Sequence, residues 1–331
     1  MELLLELMSI SGVSGNEEAV RDFISKEIKN YVDEVKIDTL GNLIAVKKGK
    51  LPKVMLAAHM DEIGLMVKGF DGKGNIKCSG IGDITTKSLI GQKVKIAAKS
   101  GYIEGIIKTT KKSKKTSIND LVVRTGVSKK ELMKMGIDVG SYISLEAHPE
   151  ILNKKYVRGK ALDNRVGCFV LIELARKLKS AVNEIYFAFT IQEEIGLYGA
   201  KTSAFEIRPD WAITVDVSEA NKDISKSETF LGKGPFITIK NADFIGNKCI
   251  NNWIKGIAKE KNIQLQYNVS DTETTDATNI SLSRGGVPSS VIGVAVQNMH
   301  TAKGTASIKD IRSLIEVLYE LLKNPPKVCL V

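Results

Sequence analysis

Apolar positions near the start of the chain follow first a helical and then a strand-like rhythm. Val20, Phe23, Ile24 and Ile28 share one face of a helix predicted over 17–31. Strands are predicted at 34–38, 42–47 and 54–58. The last of these, Val54-Met55-Leu56-Ala57-Ala58, is apolar throughout, as burial on both faces of a sheet requires. From about Glu62 to Val157 the rhythm changes. Short alternating stretches at 63–67, 94–98, 102–107, 121–124 and 142–145 are separated by glycines, with one short helix at 129–134. Beyond Arg158 strands and helices alternate again: helix 164–178, strand 184–191, short helix 196–203, strands 211–217 and 236–240, helix 247–261, strand 264–268, helix 277–283, strand 289–295 and helix 308–322. Such alternation predicts an α/β fold, a mixed or largely parallel sheet sandwiched by helices. The expected organisation is one α/β domain formed by residues 1–61 and 158–331, interrupted at 62–157 by a small β-barrel-like insert.

Composition narrows the class. With 331 residues, 43% hydrophobic and 26% charged, the chain has the balance of a soluble globular protein with a sizeable core. No apolar run is long enough to span a bilayer, and Met1–Ile10 carries Glu2 and Glu6 with no basic flank. It is expected to form an amphipathic helix, not a signal peptide, and no membrane partner is expected. Cys78, Cys168, Cys249 and Cys329 are scattered, which argues against cysteine-bound zinc and predicts free, mostly buried thiols in a cytoplasmic protein. The net charge of +10 raises nucleic-acid binding, but the lysines are dispersed. The one dense run, Lys111-Lys112-Ser113-Lys114-Lys115, has no interleaved aromatics and is read as a solvated loop, so no nucleic-acid partner is expected.

Chemistry-bearing residues stand at the ends of predicted strands, where open α/β sheets place their ligands. His59 ends one strand, and Asp61 two positions on projects the same way if the strand continues. Alone the pair is more simply a surface His beside an acid. Asp163 precedes a helix and alone would be an N-cap. Glu193 and Glu194 follow a strand. Both could merely complement a helix dipole, but adjacent carboxylates project differently, so one can bind a metal while the other faces substrate. Asp216 and His300 end two further strands. His59, Asp163, Glu194, Asp216 and His300 form a chemically complete set for two divalent ions with a position left for a shared water, and Glu193 remains over as a base.

The segments Ala57-Ala58-His59-Met60-Asp61-Glu62-Ile63-Gly64, Ala161-Leu162-Asp163-Asn164-Arg165-Val166-Gly167, Gln192-Glu193-Glu194-Ile195-Gly196 and Met299-His300-Thr301 are similar to motifs of the tetrahedral (TET) dinuclear metallo-aminopeptidases. These are the glutamyl or deblocking aminopeptidases, sometimes labelled endoglucanases. The resemblance covers nearly the whole chain, including Ser11-Gly12-Val13-Ser14-Gly15, Thr39-Leu40-Gly41-Asn42 and Gly285-Gly286-Val287-Pro288. It implies a zinc-exopeptidase-like catalytic domain and a bridging Asp163, with Glu194 and His300 at one metal and His59 and Asp216 at the other. Glu193 is then the general base and Asp61 the partner that orients His59. The insert is then a dimerisation domain, and twelve subunits form a dodecamer built from dimers. One departure stands out: the family often shows His-Ser-Pro-x-Glu where this chain has His300-Thr301-Ala302-Lys303-Gly304. His148 matches no motif and is read as a surface residue.

The implied reaction is hydrolysis of N-terminal residues from peptides by a metal-bridging water, with Glu193 moving the proton. Zinc or cobalt, and also manganese, suit this ligand set. A deacylase or carboxypeptidase on the same scaffold is the alternative. A glycoside hydrolase fits less well, because its acids oppose each other across a sugar and do not cluster with histidines. A non-catalytic assembly protein would not keep a complete ligand set.

Overall fold

A computed structural model describes residues 1–111, 116–220 and 229–325. Helices α1 (Glu2–Ser9) and α2 (Glu18–Ile28) precede strands β1 (Glu34–Ile37), β2 (Leu43–Lys47) and β3 (Lys50–His59). Strands β4 (Gly64–Phe70), β5 (Ile76–Ile81), β6 (Lys93–Ala97), β7 (Tyr102–Thr109), β8 (Leu121–Arg124) and β9 (Tyr142–Leu145) follow, with helices α3 (Thr86–Leu89) and α4 (Lys129–Lys134) between them. Next come β10 (Glu150–Leu152), β11 (Tyr156–Gly159), α5 (Leu162–Lys177), β12 (Asn183–Thr190), α6 (Tyr198–Ile207), β13 (Trp211–Glu219) and β14 (Phe236–Lys240). The chain continues through α7 (Lys248–Glu260), β15 (Gln266–Val269), α8 (Ala277–Ser281), β16 (Ser289–Gln297), β17 (Gly304–Ser307) and α9 (Ile308–Lys323).

The large sheet runs β1-β2-β12-β3-β13-β16-β17-β11-β10, with β14 and β15 branching from β16. Its centre is parallel: β12 with β3, β3 with β13, and β13 with β16. The outer strands pair antiparallel, so the sheet is mixed, as its sequence pattern predicts. β3 shows why its sequence is uniformly apolar. Val54, Leu56 and Ala58 enter the core formed with α1, α2, α5 and α9, whereas Met55 and Ala57 enter a second core under α6 and α8. A strand with helices on both faces has no side left for polar residues.

Strands β4 to β9 close into a separate barrel, in the order β4-β5-β8-β7-β6-β9, around its own core of residues such as Leu65, Val94, Ile96, Ile107 and Ile143. Its strands lie within 64–145. β10 and β11, which the sequence assigns to the end of the insert, instead pair with each other, and β11 pairs with β17 in the large sheet. At the junction Glu62 is buried, accepting hydrogen bonds from the Gly12 backbone N–H at 2.9 Å and the Lys160 ammonium at 2.8 Å. These contacts fix where the chain leaves the sheet and where it returns.

The N-terminal segment is helical with Leu4, Leu7 and Met8 buried, and His148 is exposed, both as expected. The lysine run falls at residues 112–115, outside the described residues apart from Lys111. The expectation of free thiols holds for Cys78 and Cys168, which are free and buried, and fails for Cys249, which is disulfide-bonded. No helix among the described residues is long and apolar enough to cross a membrane.

Candidate metal centre

The carboxyl ends of the central parallel strands converge. β3 and β12 finish in register, with His59 opposite Thr190, and the turn after β12 carries Glu193 and Glu194. Asp216 lies in β13 beside Gly293 of β16. That glycine is required by the packing, since a Cβ on it would meet the Asp216 carbonyl oxygen at 1.8 Å. Asp163 enters at the start of α5. There Gly167 lets the helix approach the sheet: a Cβ would lie 2.7 Å from the Val215 carbonyl and 2.9 Å from the Ala58 side chain. Asn164 fixes the same approach, donating to the Val215 carbonyl at 2.8 Å and accepting from the Gly167 N–H at 2.9 Å.

Asp163 is not the N-cap, which is Ala161; its two oxygens instead face two imidazoles, Oδ1 3.0 Å from His59 Nε2 and Oδ2 3.1 Å from His300 Nε2. Around His59 Nε2 stand Asp216 Oδ1 at 3.8 Å and Glu193 Oε2 at 3.9 Å. Around His300 Nε2 stands Glu194 Oε2 at 3.8 Å. The structure therefore brings His59, Asp163, Glu193, Glu194, Asp216 and His300 into one cluster. It divides into two trios, His59–Glu193–Asp216 and Asp163–Glu194–His300, whose donor atoms lie within 4.8 Å of one another.

Asp61 lies behind this cluster and organises it. It faces His59 Nδ1 at 3.4 Å, accepts the Ser14 hydroxyl at 2.6 Å, and accepts the backbone N–H groups of Glu193 and Glu194 at 3.1 and 3.2 Å. One carboxylate thus aims the imidazole and shapes the turn that presents both glutamates. Glu17 supports the same turn from below, accepting the N–H groups of Gly15 and Gln192.

The electrostatics describe a site that needs positive charge. Burial, reinforced by Asp216, Asp276 and Glu194, pushes the Glu193 carboxyl well above its ordinary range. Burial and the neighbouring Asp163 push Glu194 up to about 8, and burial likewise raises Asp216. Both imidazoles rise despite burial, His59 because of Glu193 and the Asp163 contact, and His300 to about 9 because of Asp163. Asp163 itself, held between them, is lowered in spite of its burial. Protons thus collect where carboxylates are crowded together, and divalent cations compete for the same places. The donor set fits such ions. It offers imidazole Nε2 and carboxylate oxygens, and Glu194 Oε1 is buried without a hydrogen-bond partner among the described residues.

Sequence reasoning missed several neighbours. Asp276 is fully buried and raised to about 6 by burial; it precedes α8 like a cap but accepts from Thr190 instead. Its position before a helix gave no signal of this. Glu219, three residues beyond Asp216 on the same strand, could have been found by continuing β13. Asp83 and Glu273 arrive from distant segments and had no sequence signal.

A model of the family described as M42 glutamyl aminopeptidase matches residues 41–317. The lysyl aminopeptidase of Pyrococcus furiosus is 32% identical over 98% of this chain and 96% of its own length. The crystal structure of the TET aminopeptidase of Thaumarchaeota archaeon SCGC AB-539-E09 superposes with a TM-score of 0.95 at 31% identity, covering 100% of this chain and 98% of that one. The TET1 peptidase of Pyrococcus horikoshii, described as assembling into a tetrahedron or an octahedral shell, superposes at 0.88 with 30% identity over 97% and 98%. With a family model matched over residues 41–317, a fold shared over nearly the full length of both chains and a cluster of histidines and carboxylates at its strand ends, this chain belongs to the M42 glutamyl aminopeptidase family, hydrolases that act on peptides.

Proposed function

We propose that this aminopeptidase holds two divalent cations in the cluster, with Asp163 shared between them, His59 and Asp216 on one side, and Glu194 and His300 on the other. The observation that carries this reading is the Asp163 carboxylate, whose two oxygens each face a different imidazole at 3.0 and 3.1 Å. Zinc, cobalt or manganese would supply Lewis-acid charge to a water and to the scissile carbonyl. Glu193 stands beside His59 without being needed to complete the bridged set, and burial among other carboxylates makes its carboxylate a stronger proton acceptor than an ordinary glutamate. It takes the proton from the attacking water and delivers it to the departing amine. Asp61 keeps His59 and the Glu193–Glu194 turn in register throughout.

The test separates the two glutamates. Glu193→Gln should keep the bound metal and lower turnover by on the order of a hundredfold to ten-thousandfold. Glu194→Gln should lose metal and recover part of its activity at high metal concentration. Metal content per subunit is read beside the turnover number; the reverse pattern would exchange the two roles, and full activity in chelated protein would refute the metal reading.

The barrel is proposed to be the dimerisation unit of a larger homo-oligomer, a dodecamer. The self-assembly of the P. horikoshii TET1 peptidase supports this. Leu65 of β4 pairs with Ile143 of β9, so a short glycine linker can replace residues 64–145. Light scattering on that variant, once circular dichroism shows it folded, should give smaller particles. An unchanged number of subunits per particle would remove the barrel from this role.

A further inference from the structure

A cavity of about 470 Å³ opens over the metal-ligand cluster, and its wall carries more acid than the cluster needs. Beyond His59, Asp163, Glu193, Glu194, Asp216 and His300 it is lined by Asp83, Glu219 and Glu273 together with neutral side chains. Among the described residues no Lys or Arg lines it. Two divalent cations would balance the four carboxylates of Asp163, Glu193, Glu194 and Asp216, leaving the three outer carboxylates to set the charge that a bound residue meets.

Glu219 and Glu273 are fixed in place by neutral donors. Glu219, in the last position of β13, accepts the backbone N–H groups of Asn298 at 3.0 Å and Met299 at 2.8 Å, in the turn that carries His300. Glu273 accepts the Ser218 hydroxyl at 2.7 Å, the Asn268 side-chain amide at 2.7 Å and the Glu219 N–H at 3.3 Å. Neither forms an ion pair among the described residues. Their geometry is therefore held while no cation among the described residues compensates their charge, as a recognition site for a cation requires. Asp83 stands at the mouth, exposed, and faces His300 Nδ1 at 3.8 Å.

We propose that this cavity selects peptides with a basic N-terminal residue, lysine or arginine, whose side-chain cation is met by Glu219 and Glu273. The proposal rests on the aminopeptidase reading of the same site. It runs against the net charge of the whole chain, +10, because the wall of the cavity and not the outer surface meets the substrate residue. The family leaves the choice open, since its model is described by glutamyl activity and its P. furiosus member by lysyl activity. An acidic wall that held only the α-ammonium would treat lysyl and leucyl substrates alike, so the side chain is the discriminating variable.

The experiment compares lysyl, arginyl, leucyl and glutamyl anilides with the metal-loaded full chain. Beside it, calorimetry measures binding of L-lysine and L-norleucine to the same protein. Lysyl and arginyl substrates should exceed leucyl by on the order of tenfold or more in kcat/KM, and the ratio should shrink as salt rises. Glu273→Gln and Glu219→Gln should each lower the lysyl-to-leucyl ratio several-fold and narrow the lysine-to-norleucine affinity gap. Faster cleavage of leucyl or glutamyl substrates, or a lysyl-to-leucyl ratio indifferent to salt, would overturn the proposal and leave the aminopeptidase intact. Hydrolysis of none of the anilides, alongside a retained calorimetric preference for lysine, would instead overturn the peptidase reading alone.

Discussion

His59 and His300 face the two oxygens of one carboxylate, yet the chain holds them in opposite ways. His59 is the last residue of a central strand, flanked by parallel neighbours on both sides, and its side chain is 2% exposed. Asp61 fixes its far nitrogen and at the same time binds the Glu193–Glu194 turn. His300 sits in a turn after β16, with φ +55, and its side chain is 21% exposed. Its neighbours are tethered by Glu219 from the next strand and by Ala302, which packs into the barrel core. One half of the site is therefore built into the sheet and the other is attached to it. Sheet positions are set by many ladder bonds and buried contacts acting together, while turn positions depend on a few tethers.

The sharpest way to break this comparison is to remove each imidazole in turn. His59→Ala strips a buried partner from Asp61, Asp163 and Asp216 and should cost about 3–5 kcal/mol of stability, as broken buried pairs do. His300→Ala, at a more exposed turn, should cost about 1 kcal/mol. Denaturant unfolding of the chelated proteins gives the two values; equal losses would show that the turn is as rigidly specified as the strand. Metal analysis should also find the His59→Ala protein poorer in metal.

A smaller effect asks how deep the rigid half extends. Glu17 lies under the glutamate turn, and burial raises its carboxyl to about 7 from 4.5. Because the folded value is above the unfolded one, its contribution to stability is fully present below pH 4.5 and is lost as pH rises through 7. Glu17→Gln keeps an acceptor for the two N–H groups and carries no charge. It should raise the melting temperature at pH 8, by the equivalent of about 1–3 kcal/mol, and change little at pH 4. A gain of the same size at both pH values would mean that Glu17 is not charged at a cost in the folded protein.

Legibility followed the same divide. β3, β12, β13 and β16 were readable because strands covered on both faces must be continuously apolar, and His59, Glu194 and Asp216 stood out as polar residues at or just beyond the ends of such runs. The barrel was readable as a change of rhythm. β5 and β17 were not, because Ile76–Ile81 includes Lys77, Ser79 and Gly80, and Gly304–Ser307 is four small or polar residues. Each is a strand only because a neighbour supplies its hydrogen bonds. The edge of the insert was misjudged for the same reason: β11 pairs with β17, a partner more than a hundred residues away, and carries β10 with it.

The sequence by itself determined the α/β class, the presence of an inserted β module and, through its motifs, which residues gather at the centre. These depend on local periodicity and on residue type, which the chain carries position by position. Only the tertiary structure decided that Asp163 faces both imidazoles, that Asp61 binds the turn of two glutamates, and that Asp83, Glu219 and Glu273 line one cavity. These are distances between segments far apart in the chain, fixed by how the strands order themselves and by how closely α5 can approach them. No local pattern encodes such distances, because they arise from the packing of the whole core.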